Sequence, residues 1–326
     1  MKPKVYITRK LPEPIINKIS NAFEVRMWGE EDTPVPYHIL EEEMEDIDGL
    51  LCLLTENVDE PLIKKAKNLK IIANMAVGYN NIDVNSATNQ GIMVTNTPGV
   101  LTETTADLTF ALLMATARRL VEASADLRNG DWNTWSPMQL TGQDIYGSTL
   151  GIIGLGRIGE ALVKRAKGFD MDVLYYNRSK KVEQENGLGI TYTSLENLLQ
   201  VSDYVCVMVP YTAETENLID SEQLALMKKN AILINTARGG IVNETALYNA
   251  LKNREIWGAG LDVFETEPVS LDHPLLTLPN VVALPHIGSA SIATRMKMAD
   301  LAVSNLTAGL QNEKPKNLVN DVSFLD

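Results

Sequence analysis

The chain has 326 residues, 45% of them apolar and 22% charged, enough for two buried cores and too apolar for a disordered chain. Its 29 basic and 42 acidic residues give a formal net charge of −13, which repels nucleic-acid phosphates and anionic lipid, so no nucleic-acid or membrane partner is expected. The start, Met1-Lys2-Pro3-Lys4-Val5, has no apolar signal core, and no run approaches the ~18 apolar residues of a membrane span; a cytoplasmic protein is expected.

Up to about residue 98, short apolar runs alternate with helical patterns. Val5–Thr8, Glu24–Trp28, Gly49–Leu54, Lys70–Ala73 and Ile92–Thr95 read as strands, most of them apolar on both faces. Between them, helices are predicted over Ile15–Phe23, Ile39–Glu45 and Pro61–Lys67. One long helix is predicted from Glu103 to Arg128, closed by Gly130. A second alternation follows, with strands over Thr149–Ile153, Val173–Tyr176, Tyr204–Val209, Ala231–Asn235, Ile256–Leu261 and Val281–Leu284. Helical patterns lie between them, among them Arg157–Gly168 and Glu244–Asn253, and a last helix runs over Ser291–Leu310. Alternation of this kind makes α/β architecture with two parallel sheets. Cys52 and Cys206 lie inside apolar strands and read as buried free thiols, so neither a disulfide nor a metal site is expected.

The strand ending at Ile153 runs directly into Gly154-Leu155-Gly156-Arg157-Ile158-Gly159 and then into a helix. The first glycine allows the tight turn, the second lets backbone amides approach a pyrophosphate, and the third lets helix pack on strand. Phosphate would sit at the positive end of the helix dipole; the bland alternative is a structural glycine turn. The next strand ends in Asn177-Arg178-Ser179-Lys180-Lys181, twenty-three residues after Gly154. An NAD site places a carboxylate here to hold the ribose 2′-hydroxyl. Here Arg178 can grip a 2′-phosphate, helped by Ser179 and Lys180, so NADP(H) is expected over NAD(H), which stays possible. A solvated basic loop is the alternative.

Three histidines make the search for acid–base chemistry short. His38 and His273 read as surface residues. His286 follows the apolar run Val281–Leu284 and would face the crevice at the carboxyl ends of parallel strands. Two other strand ends supply Arg238 and the Glu265-Thr266-Glu267 segment. Together these form an anion clamp, a carboxylate orienter and a proton donor, or else a structural ion pair.

These segments, with Val77-Gly78-Tyr79-Asn80-Asn81-Ile82-Asp83, Thr104–Leu108, Leu233–Gly239, Ala259–Pro268 and Pro285–Ala290, resemble the D-isomer-specific 2-hydroxyacid dehydrogenases over nearly the whole chain. Within that family the chain looks most like the glyoxylate/hydroxypyruvate reductases. The resemblance implies two doubly wound domains, Rossmann and flavodoxin-like, with a cleft between them. Residues 1–98 and 291–326 would form the substrate-binding domain and 99–290 the dinucleotide-binding domain. It further implies that Arg238 binds the substrate carboxylate and that His286 delivers a proton to the keto oxygen. Glu267 would orient His286 and favour its charged form. Val77 and Gly78 would bind the carboxylate through their backbone.

Leu155 to Ile158 would cradle the pyrophosphate and Asp262 would hold the nicotinamide carboxamide. Thr236 and Ala237 would line the nicotinamide side, and Pro210 and Gly288 complete the cofactor set. Trp135, in Gly130–Pro137, matches a position that enters the partner subunit's site in a homodimer and would favour a small 2-keto acid. Its alternative is an aromatic that only packs the dimer contact. A reductase of a longer acid such as 2-ketogluconate is the alternative activity. A corepressor-like dinucleotide-sensing protein is a binding alternative, and the strong acidity argues against it.

Overall fold

The computed structural model describes residues 2–322. The chain divides into two compact units, one taking residues up to Leu101 and from Ser291 onward, the other Thr102–Ala290.

In the first unit β1 (Lys4–Ile7), α1 (Glu13–Ile16), β2 (Glu24–Met27), α2 (Tyr37–Met44), β3 (Gly49–Cys52), α3 (Glu60–Lys65), β4 (Ile71–Asn74), α4 (Val84–Asn89) and β5 (Met93–Thr95) follow in order. The strands form one parallel sheet in the order β2-β1-β3-β4-β5. Every residue of β3 and β4 is buried, as strands covered on both faces must be. The helix predicted over residues 15–23 is only partly formed. Beyond Ile16 the chain continues in turns, with Phe23 N–H donating to the Ile19 carbonyl at 2.9 Å. Ile15, Ile19 and Phe23 are nevertheless all buried, so the apolar spacing is satisfied without a continuous helix.

The second unit holds α5 (Thr102–Ala117), α6 (Leu120–Asn129), β6 (Thr149–Ile153), α7 (Arg157–Lys167), β7 (Asp172–Tyr176), α8 (Val182–Leu188), β8 (Thr191–Tyr192), α9 (Leu195–Val201), β9 (Tyr204–Val207), α10 (Ser221–Leu226), β10 (Ile232–Asn235), α11 (Glu244–Lys252), β11 (Gly258–Leu261) and β12 (Val281–Ala283). All seven strands are parallel, in the order β12-β11-β10-β9-β6-β7-β8. From β6 the chain builds outward through β7 and β8, then returns to the other side of β6 for β9. This reversal is the switch point of a Rossmann sheet, where ligands bind outside the carboxyl ends of the strands. Strand order in the first unit reverses likewise, between β1 and β3, as in flavodoxin-like sheets.

The single helix predicted over 103–128 is two. The Ala117 carbonyl accepts from Gln143 N–H at 2.9 Å, and Arg119 adopts φ 53°, so the chain turns between α5 and α6. Arg119 is held there by Glu122, its Nε donating at 2.7 Å. The last helix, α12 (Ile292–Leu310), is capped by Ser291, whose hydroxyl accepts from Thr294 N–H at 3.2 Å. It packs on the first unit's sheet, where a Cβ on Gly309 would lie 2.6 Å from Ile71 Cδ1 and one on Gly49 2.9 Å from Leu306 Cδ1. Among the described residues no helix is long and apolar enough to cross a membrane. Cys52 and Cys206 are free and buried, and burial pushes both thiols up.

Candidate active site

The glycine turn joins β6 to α7 beside β9. Gly154 has φ +101°, and a Cβ there would meet Met208 and Val209 backbone at 2.8 Å. A Cβ on Gly159 would lie 2.9 Å from the Gly154 carbonyl, so this glycine brings helix and strand together. Gly156 differs: among the described residues nothing beyond its chain neighbours lies within 4 Å of the Cβ it lacks. No side chain caps α7, so its first-turn amides, which have no intrahelical acceptor, face that open space. An uncapped helix start beside open space has the form a pyrophosphate needs, with the amides of Arg157 and Ile158 at the positive helix end. Leu155 is a correction to the predicted cradle. Its N–H donates to Asn177 Oδ1 at 2.7 Å, so that amide is already engaged.

Asn177 therefore fixes the glycine turn with its side chain. Arg178 and Ser179 beside it are exposed, and among the described residues Arg178 forms no ion pair. Lys180 is turned away, its Nζ bonded to Glu185 at 2.9 Å. Of the three residues expected to grip a 2′-phosphate, two remain available.

Asp262, just beyond β11, is 1% exposed, and its Oδ1 accepts from Ile287 N–H at 2.8 Å. Among the described residues its buried Oδ2 has no partner of good hydrogen-bond geometry. Burial pushes its carboxyl up, opposed by the Ile287 amide, the His286 charge and the Gly288 amide. A buried acceptor without a donor is costly, and a primary carboxamide supplies the missing N–H. Gly288 lies against this oxygen; a Cβ there would sit 3.2 Å away. Pro210 is exposed beyond β9, its carbonyl accepting from Thr215 Oγ1 at 2.7 Å. Thr236 comes directly after β10, its buried hydroxyl bonded to Thr109 Oγ1 of α5 at 2.7 Å.

Arg238 follows β10 on a short turn. Asn235, 1% exposed, accepts from Ala237 N–H at 3.0 Å and donates to the Arg238 carbonyl at 2.8 Å. At Gly239 a Cβ would overlap the Phe264 backbone, which brings the Arg238 turn against the chain leading to Glu267. Glu267 Oε2 meets His286 Nδ1 at 2.6 Å, and its Oε1 accepts from Phe264 N–H at 3.0 Å. Burial pushes the Glu267 carboxyl up, but His286, the Phe264 amide and Arg238 together outweigh it and hold it below the usual range. Burial lowers the half-buried Arg238 guanidinium, against the attraction of Glu267. His286 has φ 53°, an uncommon backbone for a residue with a side chain. Arg238, Glu267 and His286 thus gather at the carboxyl ends of β10, β11 and β12. Held through Nδ1 by a carboxylate, the imidazole can exchange a proton at Nε2.

His273 corrects the surface assignment. Its Nε2 lies 3.0 Å from Glu244 Oε2, and its ring packs edge-on to Phe264 with centroids 5.9 Å apart. His38 is exposed, as expected. Among the described residues no cluster of His, Cys, Asp and Glu could hold a metal ion.

In the first unit, Val77 and Gly78 follow β4. Asn96 Nδ2 donates to the Val77 carbonyl at 2.8 Å and Asn74 Nδ2 to the Gly78 carbonyl at 2.9 Å. Asn81 ties the same loop to the Leu53 and Glu56 carbonyls at 2.9 and 3.0 Å. Side chains thus hold the carbonyls of this loop in place. Trp135 is 76% exposed, near the exposed Trp132 and Leu127. The sequence reading misses Asn74, Asn81, Asn96 and Asn235. Two of them carry a visible signal, an amide closing an otherwise apolar strand.

The geometry is that of a dinucleotide-binding sheet with an acid–base pair and a guanidinium beside it, the equipment of an oxidoreductase. The model of the D-isomer specific 2-hydroxyacid dehydrogenase NAD binding domain matches residues 110–288. A glyoxylate reductase of Korarchaeum cryptofilum is 52% identical, the match covering 98% of this chain and 96% of that protein. A protein of Thermus thermophilus superimposes with a TM-score of 0.91 at 44% identity, covering 97% of this chain and all of that one. The NADPH-dependent glyoxylate/hydroxypyruvate reductase of Sinorhizobium meliloti, crystallised with NADP and malonate, gives 0.84 at 36% identity over 98% and 97% of the two chains. The chain belongs to the D-isomer-specific 2-hydroxyacid dehydrogenase family. It is an enzyme of oxidation and reduction that works with a nicotinamide dinucleotide.

Proposed function

We propose that this enzyme reduces a small 2-keto acid, glyoxylate or hydroxypyruvate, to the D-2-hydroxy acid with NADPH. The observation that carries the reading is the 2.6 Å contact of Glu267 Oε2 with His286 Nδ1, beside the half-buried Arg238. The bound nicotinamide supplies the hydride. Arg238, its charge poorly solvated, binds the substrate carboxylate and draws electron density toward the keto oxygen. His286 donates the Nε2 proton to that oxygen while Glu267 keeps Nδ1–H engaged, so one imidazole nitrogen faces the reaction. In the reverse direction the same nitrogen accepts the proton.

In the first unit, Val77 and Gly78 offer backbone amides to a carboxylate. Asp262 would hold the nicotinamide carboxamide, and Ala237, Gly288 and Pro210 would complete the cofactor site. Arg157 and Ile158 hold the pyrophosphate, and Arg178 with Ser179 holds the 2′-phosphate, which favours NADP(H) over NAD(H). The working form is a homodimer in the cytoplasm, with Trp135 limiting substrate length. The glyoxylate reductases at about half identity support the substrate class.

The test is loss of reduced-nicotinamide absorbance with purified protein and glyoxylate, NADPH and NADH side by side. Fast oxidation of NADPH and slow oxidation of NADH is expected. The reverse preference would overturn the cofactor reading, and turnover confined to 2-ketogluconate would overturn the substrate reading.

A further inference from the structure

The 177–181 segment is fastened by two tyrosines of neighbouring strands. Tyr175, fully buried in β7, accepts from Lys181 N–H through its hydroxyl at 2.9 Å. Tyr192, on the two-residue edge strand β8, donates its hydroxyl to the Asn177 carbonyl at 3.2 Å. Their rings meet edge-to-face, centroids 5.4 Å apart at 66°. Glu185 completes the frame, accepting from Tyr192 N–H at 2.8 Å and from Lys180 at 2.9 Å. Asn177 Oδ1 then links the segment to the glycine turn through Leu155 N–H. The segment is tied at both ends; Arg178, Ser179 and Lys180 between the ties are exposed, and Lys180 is paired with Glu185.

We propose that Tyr175 and Tyr192 are positioning residues for cofactor discrimination: they hold Asn177 and Lys181 so that Arg178 and Ser179 stand ready for a 2′-phosphate. The inference rests on the NADPH reading above. A tied segment loses little conformational freedom when it closes on an anion, whereas a loose one must be ordered by the ligand at a cost in affinity. NADH carries no 2′-phosphate and gains nothing from that readiness. The frame therefore acts on the difference between the two cofactors rather than on binding in general.

The test is titration of the substrate-free protein with NADPH and NADH by fluorescence, for the wild type, Tyr175→Phe, Tyr192→Phe, Arg178→Ala and each tyrosine change combined with Arg178→Ala. The phenylalanines keep the ring packing and remove one hydroxyl each. Each should raise the NADPH Kd by about two- to tenfold, the range of one lost neutral hydrogen bond, and leave the NADH Kd within about twofold. In the Arg178→Ala background the same changes should cost NADPH binding clearly less than in the wild type, because only the Ser179 hydroxyl remains to be positioned. Equal weakening of both cofactors, or a loss undiminished without Arg178, would make the tyrosines structural and overturn the inference. Equal affinity of the wild type for the two cofactors would instead refute the NADPH reading, and this inference with it.

Discussion

At the scale of single residues, the imidazole and the guanidinium divide the work, and the division predicts how each fails. His286→Gln keeps a polar group of similar reach but cannot shuttle a proton at neutral pH. It should lower kcat by about 10²- to 10⁴-fold in a glyoxylate assay while KM changes little, since Arg238 still holds the carboxylate. A variant with near-normal kcat would take His286 out of the reaction. Glu267 makes a second, pH-dependent prediction. Its carboxyl lies below the usual range in the folded chain, held there by His286, the Phe264 amide and Arg238 against the effect of burial. A depressed folded value means stability that is present above the unfolded value, near ~4.3, and lost as pH falls through the folded one. Thermal unfolding of Glu267→Gln followed from pH 7 to pH 3 should fall less steeply than that of the wild type. Parallel slopes would show that the contact contributes nothing to folding.

At the scale of elements, the turn between β6 and α7 separates a glycine the fold requires from one the ligand requires. Gly154→Ala puts a Cβ at φ +101° against Met208 and Val209 and should unfold at markedly lower temperature. Gly156→Ala meets no protein atom within 4 Å, so its unfolding temperature should stay within a few degrees. Its methyl group would occupy the space proposed for the pyrophosphate, so dinucleotide Kd should rise at least about tenfold by titration. Unchanged binding would move the pyrophosphate elsewhere. This turn is readable in the sequence because its determinants are local: an apolar strand, three spaced glycines and an amphipathic helix. Arg238, Glu267 and His286 are readable for the same reason, each lying just past an apolar run. The break between α5 and α6 is not readable, because Thr116–Val121 suits a helix and a distant amide, Gln143 N–H, decides the outcome. The partners of Leu155, Lys180 and Thr236, which are Asn177, Glu185 and Thr109, are likewise found only once strands and helices are assembled.

At the scale of the whole molecule, a chain with net charge −13 exposes a cluster of large apolar side chains on α6 and just after it. Leu120, Val121, Leu127, Trp132, Trp135 and Met138 are each 54% to 77% exposed. Such a patch marks an interaction surface, and a second copy of this chain is the occupant proposed above. Leu127→Lys tests it with little cost to the fold, because a cation in the last turn of α6 suits the helix dipole. Light scattering after size exclusion should find the wild type near twice 35.9 kDa and the variant near 35.9 kDa, with a similar unfolding temperature at low protein concentration. Trp135 ties this to specificity. If its ring narrows the partner's site, the monomeric variant should lose selectivity for glyoxylate over 2-ketogluconate, and Trp135→Ala should lose it while staying dimeric. A monomeric wild type would remove both the dimer and that role for Trp135. A dimer whose selectivity survives Trp135→Ala would leave the tryptophan as packing in the contact, with substrate length set by other residues.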